Sequence, residues 1–318
     1  MPKPEVVASR YARRQLWKAA IKWPMYAVAV MPVLLAAAWS FSQGQGVRSD
    51  QLVLFLIAAV LLLVWENLAN DVFDAETGID TLGKPHSLVN LTGRRDRVLA
   101  VAHGALVLGL MLMAVVAIRS SPMVLVLVLA CCGLGYVYQG PPFRLGYRGL
   151  GEPLCWLAFG PLATAAGLMA VAAPGLAEGG AVPWATALQL GSGPALATTL
   201  VLFCSHFHQT AEDAAHGKQS PVVRLGTERA AALVPWFVAG TLVLEWMPLW
   251  LGPPGQRWPF TVLLAGLGLG PALTLIRLLH RHHHQAEHIN GSKFLALRFQ
   301  SFNGLGLAFG LSLGRWLG

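Results

Sequence analysis

Residues 67–80 read Asn-Leu-Ala-Asn-Asp-Val-Phe-Asp-Ala-Glu-Thr-Gly-Ile-Asp and follow directly on an apolar run long enough to cross a bilayer. Glu66, Asp71, Asp74, Glu76 and Asp80 gather there, in a chain with only 15 acidic residues among 318. Ionisable groups where a membrane helix meets water are costly unless they act, and the act these oxygens suit is holding a divalent cation. Residues three, four and seven apart share a helix face, and Asn67, Asn70 or Asp71, and Asp74 meet that spacing. The design returns four spans later, where His206, Gln209 and Asp213 lie at i, i+3 and i+7. Seven of the acidic residues (Glu66, Asp71, Asp74, Glu76, Asp80, Glu212 and Asp213) therefore sit at two helix ends.

The carboxyl end of a helix carries partial negative charge and favours a cation. Hard oxygen ligands without a Cys or His ligand set point to Mg²⁺, which binds through few carboxylates and is completed by substrate phosphates and water. Lys84, Arg94, Lys218 and Arg224 follow the two clusters and supply the charge a diphosphate requires. A single Asn-Asp pair at a helix end is ordinarily a cap or a solvated boundary. Two clusters on non-adjacent spans, each followed by a basic loop, describe a diphosphate site at the membrane surface.

The elements that position these groups are membrane helices. Apolar residues make up 55% of the chain and charged residues 12%, with a mean hydropathy of +0.56, which excludes an ordinary soluble domain. Runs of spanning length predict an all-α, multi-pass bundle of about nine transmembrane helices, near 24–42, 51–70, 98–118, 122–139, 152–172, 184–205, 229–250, 258–280 and 302–317. They form a single domain over 1–318, with 1–22 as a basic segment in which no cleavable signal peptide is evident. Basic residues crowd alternate loops: Arg10 to Lys22 before the first span, Lys84 to Arg97 after the second, Arg144 and Arg148 after the fourth, and Lys218 to Arg229 after the sixth. The positive-inside rule then places the amino terminus and both acidic clusters in the cytoplasm. The net charge of +8 follows from this topology and does not imply nucleic-acid binding.

Other polar features are read more plainly. Cys131, Cys132, Cys155 and Cys204 fall inside spans, as small hydrophobes without disulfides. His280, His282, His283, His284 and His288 read as a solvated segment, and Glu245 is placed near the outer interface. Tyr136, Tyr138 and Tyr147 lie at the fourth helix boundary, where Tyr usually anchors at the interface and could also face a cation or an aromatic ring.

Asn70-x-x-x-Asp74 continuing to Gly78-Ile79-Asp80 resembles the first aspartate-rich motif of the UbiA superfamily of intramembrane prenyltransferases, in the form of the naphthoate branch. Ser205 to Gln209, then Glu212-Asp213-Ala214-Ala215-His216-Gly217-Lys218-Gln219-Ser220-Pro221-Val222-Val223-Arg224-Leu225-Gly226-Thr227, looks like that branch's phytyl-transferring members in cyanobacteria and plastids. Ala20 to Tyr26 and Gly146 to Glu152 resemble its first-helix entry and its loop after helix 4, so the likeness spans roughly residues 16–300. Two positions depart. Gln209 stands where many relatives carry an aspartate, leaving Asp213, and Gly78 stands at an Asp position, making Asp80 the third carboxylate.

The resemblance implies a Mg²⁺-dependent transfer from an allylic diphosphate, phytyl diphosphate, to a naphthoate acceptor, with loss of CO₂. It occurs within membrane lipid, on the cytoplasmic side of a cyanobacterial plasma or thylakoid membrane. It implies that Asn70, Asp74, Asp80 and Asp213 hold the metal, with Asn67, Asp71 and Gln209 in support. Asp74, Asp80 and Asp213 are the expected catalytic carboxylates, and Lys22, Lys84, Arg94, Tyr138, Arg144, Lys218 and Arg224 line the substrates. Other readings are a long polyprenyl donor for menaquinone, a chlorin or haem acceptor, or an ion-coupled carrier. The carrier predicts acids at the bilayer midplane, whereas the acids here are read at helix ends.

Overall fold

The computed structural model describes residues 14–21, 23–79, 86–172, 181–251 and 257–317. Nine long helices run through the described residues: α1 (Ala27–Ser42), α2 (Ser49–Thr77), α3 (Arg95–Arg119), α4 (Pro122–Gln139), α5 (Gly151–Val171), α6 (Trp184–Ser205), α7 (Thr227–Trp250), α8 (Leu269–His282) and α9 (Ser292–Leu317). No strand appears among the described residues. Among the described residues, eight helical stretches are long and apolar enough to cross a membrane. The ninth expected span, 302–317, lies inside the longer α9, which carries Lys293, Arg298, Asn303 and Arg315 and is held by packing as well as by hydropathy.

Several helices depart from ideal geometry where the sequence says they must. α5 is interrupted by a π-helical stretch, Ala158–Leu162, around Pro161, which cannot donate to the ladder. α8 is preceded by a 3₁₀ segment, Phe260–Gly268. Along that segment α9 presents Gly306, Gly310 and Gly314, four residues apart, as one glycine stripe. A Cβ at Gly306 or Gly310 would overlap the carbonyl oxygen of Leu264 or Thr261. Small residues let backbones approach in this way inside membranes. Gly310→Ala should therefore lower the thermal midpoint of the purified protein, by an overpacking cost of about 1–3 kcal/mol.

Glu245 is not at a wetted outer interface. It is 1% exposed, between α7 and α9, and accepts a hydrogen bond from Asn303 Nδ2 at 2.7 Å. A charged side chain deep in a bundle needs a donor supplied by its neighbours, and α9 brings one that sequence spacing could not announce.

Two helix ends fix the site. α2 continues two turns beyond its apolar run, because the polar stretch keeps good helix formers such as Ala69 and Ala75. It stops at Gly78, whose φ of 75° is the left-handed conformation that closes a helix. α6 ends at Ser205 and tightens into a 3₁₀ turn, Phe207–Gln209, before a short helix, Thr210–Ala215. His206, Gln209 and Asp213 are thus not on one uninterrupted helix face as the spacing suggests.

Candidate active site

A cavity of about 700 Å³ opens between these two helix ends and runs into the bundle. Asn67, Asn70 and Asp74 of α2 line one wall, and Gln209 and Lys218 line the opposite one. Deeper, the walls are apolar, with Val28, Phe55, Met113, Val128, Phe159 and Val201. Phe55 precedes Asp74 by 19 residues on the same helix, so the cavity follows α2 for about 28 Å at 1.5 Å per residue. That approaches the hydrocarbon thickness of a bilayer.

The helical spacing on α2 has the consequence expected of it. Asn70 donates its amide nitrogen to Gln139 Oε1, while Gln139 Nε2 donates to the Glu66 carbonyl at 2.9 Å. Asn70 thus directs its amide nitrogen to α4. Asp74 is 2% exposed and accepts from the Tyr147 hydroxyl at 3.0 Å. Burial, then the negative charge of Asp74, pushes the Tyr147 hydroxyl above the usual phenol range, so it stays a donor. Thr77 Oγ1 lies 2.8 Å from the same hydroxyl.

The second cluster is organised by its loop. Gly217 takes a φ of 74°, the Lys218 N–H donates to the Asp213 carbonyl at 2.8 Å, and the Gln219 N–H donates to the Tyr147 carbonyl at 2.8 Å. Ser220 then caps the helix Pro221–Leu225 by accepting from the Val223 N–H. This folding turns Lys218 inward. Its Nζ lies 3.2 Å from Asp213 Oδ1 and 5.7 Å from the centre of the Tyr147 ring. His206 sits between two carboxylates, 3.5 Å from Asp213 Oδ2 and 3.5 Å from Glu152 Oε1. Asp213 is 2% exposed and stands behind Lys218, not on the cavity wall.

Not every expected residue gathers here. Asp71 faces away from the cavity and accepts from the Leu88 N–H at 3.0 Å, because one residue along a helix turns about 100°. Arg94 is exposed at the start of α3. Arg224 is exposed and donates to the Arg148 carbonyl at 2.7 Å. Arg144 pairs with Glu76 at 3.0 Å and lies over the Tyr147 ring, outside the cavity lining. Tyr138 does line the cavity, its ring seated against Gly146 and Gly151, where a Cβ would collide with it. Lys22, Asp80 and Lys84 lie outside the described residues.

Other groups come to the site from the two ends of the chain: Lys18, Asn290 and Lys293 line the cavity, brought there by packing that no local periodicity relates, and His208 joins them from the motif after α6. The five-histidine segment remains apart: His282 and His288 stack at 5.3 Å, and His283 Nδ1 lies 3.0 Å from Thr227 Oγ1. No group of three or more His, Cys, Asp or Glu side chains forms a metal cluster among the described residues. The donors on the cavity wall are instead amide oxygens of Asn67, Asn70 and Gln209 with the Asp74 carboxylate. Such a set suits a hard cation that keeps waters and takes its remaining ligands from a bound diphosphate.

A model described as the UbiA prenyltransferase family matches residues 29–297. The chain is 38% identical to 2-carboxy-1,4-naphthoquinone phytyltransferase of Synechocystis over 94% of each chain. It is 37% identical to the chloroplastic protein of that name from Arabidopsis thaliana, over 94% of this chain and 77% of that one. A 1,4-dihydroxy-2-naphthoate octaprenyltransferase of Mycobacterium tuberculosis is 28% identical over 61% of this chain and 65% of its own. Among solved structures, a UbiA homolog from Archaeoglobus fulgidus bound to DMAPP and Mg²⁺ superposes with a TM-score of 0.52 at 17% identity, covering 89% of this chain and 97% of that one.

Proposed function

The chain belongs to the UbiA prenyltransferase family, and from that premise we propose that it transfers a phytyl group from phytyl diphosphate to a 2-carboxylated naphthalene ring, with loss of CO₂, in phylloquinone synthesis. The observation that carries the reading is the cavity itself, which joins a polar mouth of Asp74, Asn70, Gln209 and Lys218 to a long apolar interior. An isoprenoid diphosphate has that division of character. Its head group would lie between α2 and the loop after α6, and its tail among Val28, Phe55 and Val201.

Asn67, Asn70, Asp74 and Gln209 would hold Mg²⁺, with Asp80 as a further carboxylate. When bound, that cation neutralises the charge gathering on the departing diphosphate. Lys218, aided by Lys18 and Lys293 on the cavity wall, adds fixed positive charge for the same purpose. The allylic C1–O bond breaks, its electron pair leaves with the diphosphate, and C1 is attacked by the ring carbon bearing the carboxylate. A new C–C bond forms, and CO₂ departs, leaving its bonding electrons to restore the aromatic ring. Tyr138 presents aromatic surface on the cavity wall, where it can face the allylic cation. The apolar walls exclude water that would otherwise capture it.

The donor is proposed as phytyl because the phytyltransferases are related over 94% of the chain and the octaprenyltransferase over 61%. An amino terminus and active site on the cytoplasmic face belong to the same proposal, supported by the basic loops. Detergent-purified protein supplied with Mg²⁺, 1,4-dihydroxy-2-naphthoate and equal phytyl and long all-trans polyprenyl diphosphates should yield mainly the phytylated, decarboxylated product by mass. Chelation with EDTA should abolish it, and added Mg²⁺ should restore it. Long-chain product alone would move the reading to menaquinone, and no product with either donor would overturn the acceptor.

A further inference from the structure

Glu66 is a carboxylate on the cavity wall that the proposed reaction does not use. It sits on α2 one turn before Asn70 and two turns before Asp74, about 6 Å and 12 Å deeper along the axis. Its side chain lines the cavity. Opposite it, α4 has Gly135, where an added Cβ would lie 3.5 Å from the Glu66 carboxyl carbon and 3.6 Å from Oε1. Cys131 and Cys132 of α4 and Cys155 of α5 complete the surround. Among the described residues no side chain or backbone group donates a hydrogen bond to the Glu66 carboxylate, and no cation pairs with it. By sequence Glu66 stands with the acids at the helix end, but α2 runs on to Thr77 and leaves it inside the span. An acid there with no protein partner is expected to face a ligand.

The position identifies the ligand. A diphosphate held at Asn70 and Asp74 places its allylic carbon next below, and the ring that attacks that carbon must lie beside it, at the level of Glu66. We propose that Glu66 determines acceptor specificity: its carboxylate accepts a hydrogen bond from a ring hydroxyl, so the site takes a dihydroxynaphthoate and rejects the corresponding quinone. This rests on the transferase reading and narrows its substrate. The carboxylated quinone has no ring hydroxyl: it offers carbonyl and carboxylate oxygens, acceptors that meet the Glu66 carboxylate with no hydrogen between them. A site built to pair with a hydroxyl rejects the analogue lacking it, because the buried group is left unpaired. The chemistry agrees, since a carbocation is captured by an electron-rich ring.

The test is equilibrium binding to the full-length purified protein in detergent, alongside turnover. 1,4-Dihydroxy-2-naphthoate under dithionite is compared with its oxidised quinone, in wild type, Glu66→Gln, Glu66→Asp and Gly135→Leu. Wild type should bind the reduced form at least about tenfold more tightly, as loss of a hydrogen bond to a charged group implies. Glu66→Gln should weaken reduced-form binding about tenfold and bring the two forms within about threefold of each other, with phytyl diphosphate affinity unchanged. Glu66→Asp, which keeps the charge, should retain the redox preference. Gly135→Leu fills the space beside the carboxylate and should weaken acceptor binding while sparing the donor, which secures the assignment if the Glu66 variants fold poorly. Equal affinity of wild type for both forms, or reduced-form binding unaffected by Glu66→Gln or by Gly135→Leu, would overturn it. A protein that transfers no prenyl group yet shows the Glu66-dependent preference would overturn the transferase reading alone.

Discussion

Asp74→Asn should reduce prenyl transfer by about 10³-fold while leaving the protein folded, inserted and close to wild type in thermal midpoint. The asymmetry follows from what Asp74 touches. Its Oδ1 accepts from the Tyr147 hydroxyl at 3.0 Å, a contact that an asparagine oxygen makes equally well, and the side chain keeps its size in a site only 2% exposed. What disappears is the negative charge on the α2 wall of the cavity. Removing one preorganised group aimed at developing charge costs about 10²–10³ in rate, and losing an anionic ligand weakens a bound divalent cation further. Turnover at saturating Mg²⁺ and donor, measured beside a melting curve, decides the matter. Activity within tenfold of wild type would remove Asp74 from the site. Tyr147→Phe, which deletes only the hydroxyl that orients the carboxylate, should fall between the two.

Lys218 carries the second large effect, and here stability and activity should separate under a double substitution. Its Nζ lies 3.2 Å from Asp213 Oδ1, with the two side chains 9% and 2% exposed. Breaking such a buried pair by Lys218→Met leaves Asp213 with His206 as its remaining neighbour, a cost of about 3–5 kcal/mol. Lys218→Met should therefore lower the thermal midpoint and reduce transfer by about 10²-fold or more, with a raised KM for the prenyl diphosphate. Adding Asp213→Asn removes the orphaned charge, so the double variant should recover most of the stability and none of the activity. Groups in direct contact give such non-additive energies. Recovery of transfer together with stability would assign Lys218 to architecture and leave diphosphate neutralisation to Lys18 and Lys293 on the same cavity.

The reading of α2 shows how far local periodicity reaches. Asn67, Asn70 and Asp74 share a cavity-lining face because 3.6 residues per turn is a property of the backbone, independent of what surrounds it. The same rule left Asn70 and Asp71 as alternatives, and only the neighbouring segments chose between them. Gln139 arrives from α4 to take the Asn70 nitrogen, while the Leu88 N–H arrives from beyond the loop to occupy Asp71. For the second cluster periodicity was a weaker guide, since the chain tightens into a 3₁₀ turn at Phe207–Gln209. His206 and Asp213 nonetheless converge to 3.5 Å, by a different path from the one their spacing suggests.

The class of the molecule, the approximate positions of its spans and the two helix ends where polar groups collect are all legible in the sequence. Hydropathy and helical repeat act over a few neighbouring residues and need no knowledge of the rest. Packing between distant segments selects which charges face the cavity. It turned Lys218 inward against Asp213, left Arg94 and Arg224 exposed, buried Glu245 against Asn303, and set Glu66 against α4 and α5 without a hydrogen-bond or ion-pair partner among the described residues. These outcomes depend on contacts between segments tens to hundreds of residues apart. A buried charge takes its partner from whichever helix packing brings alongside, and one-dimensional spacing does not encode that choice.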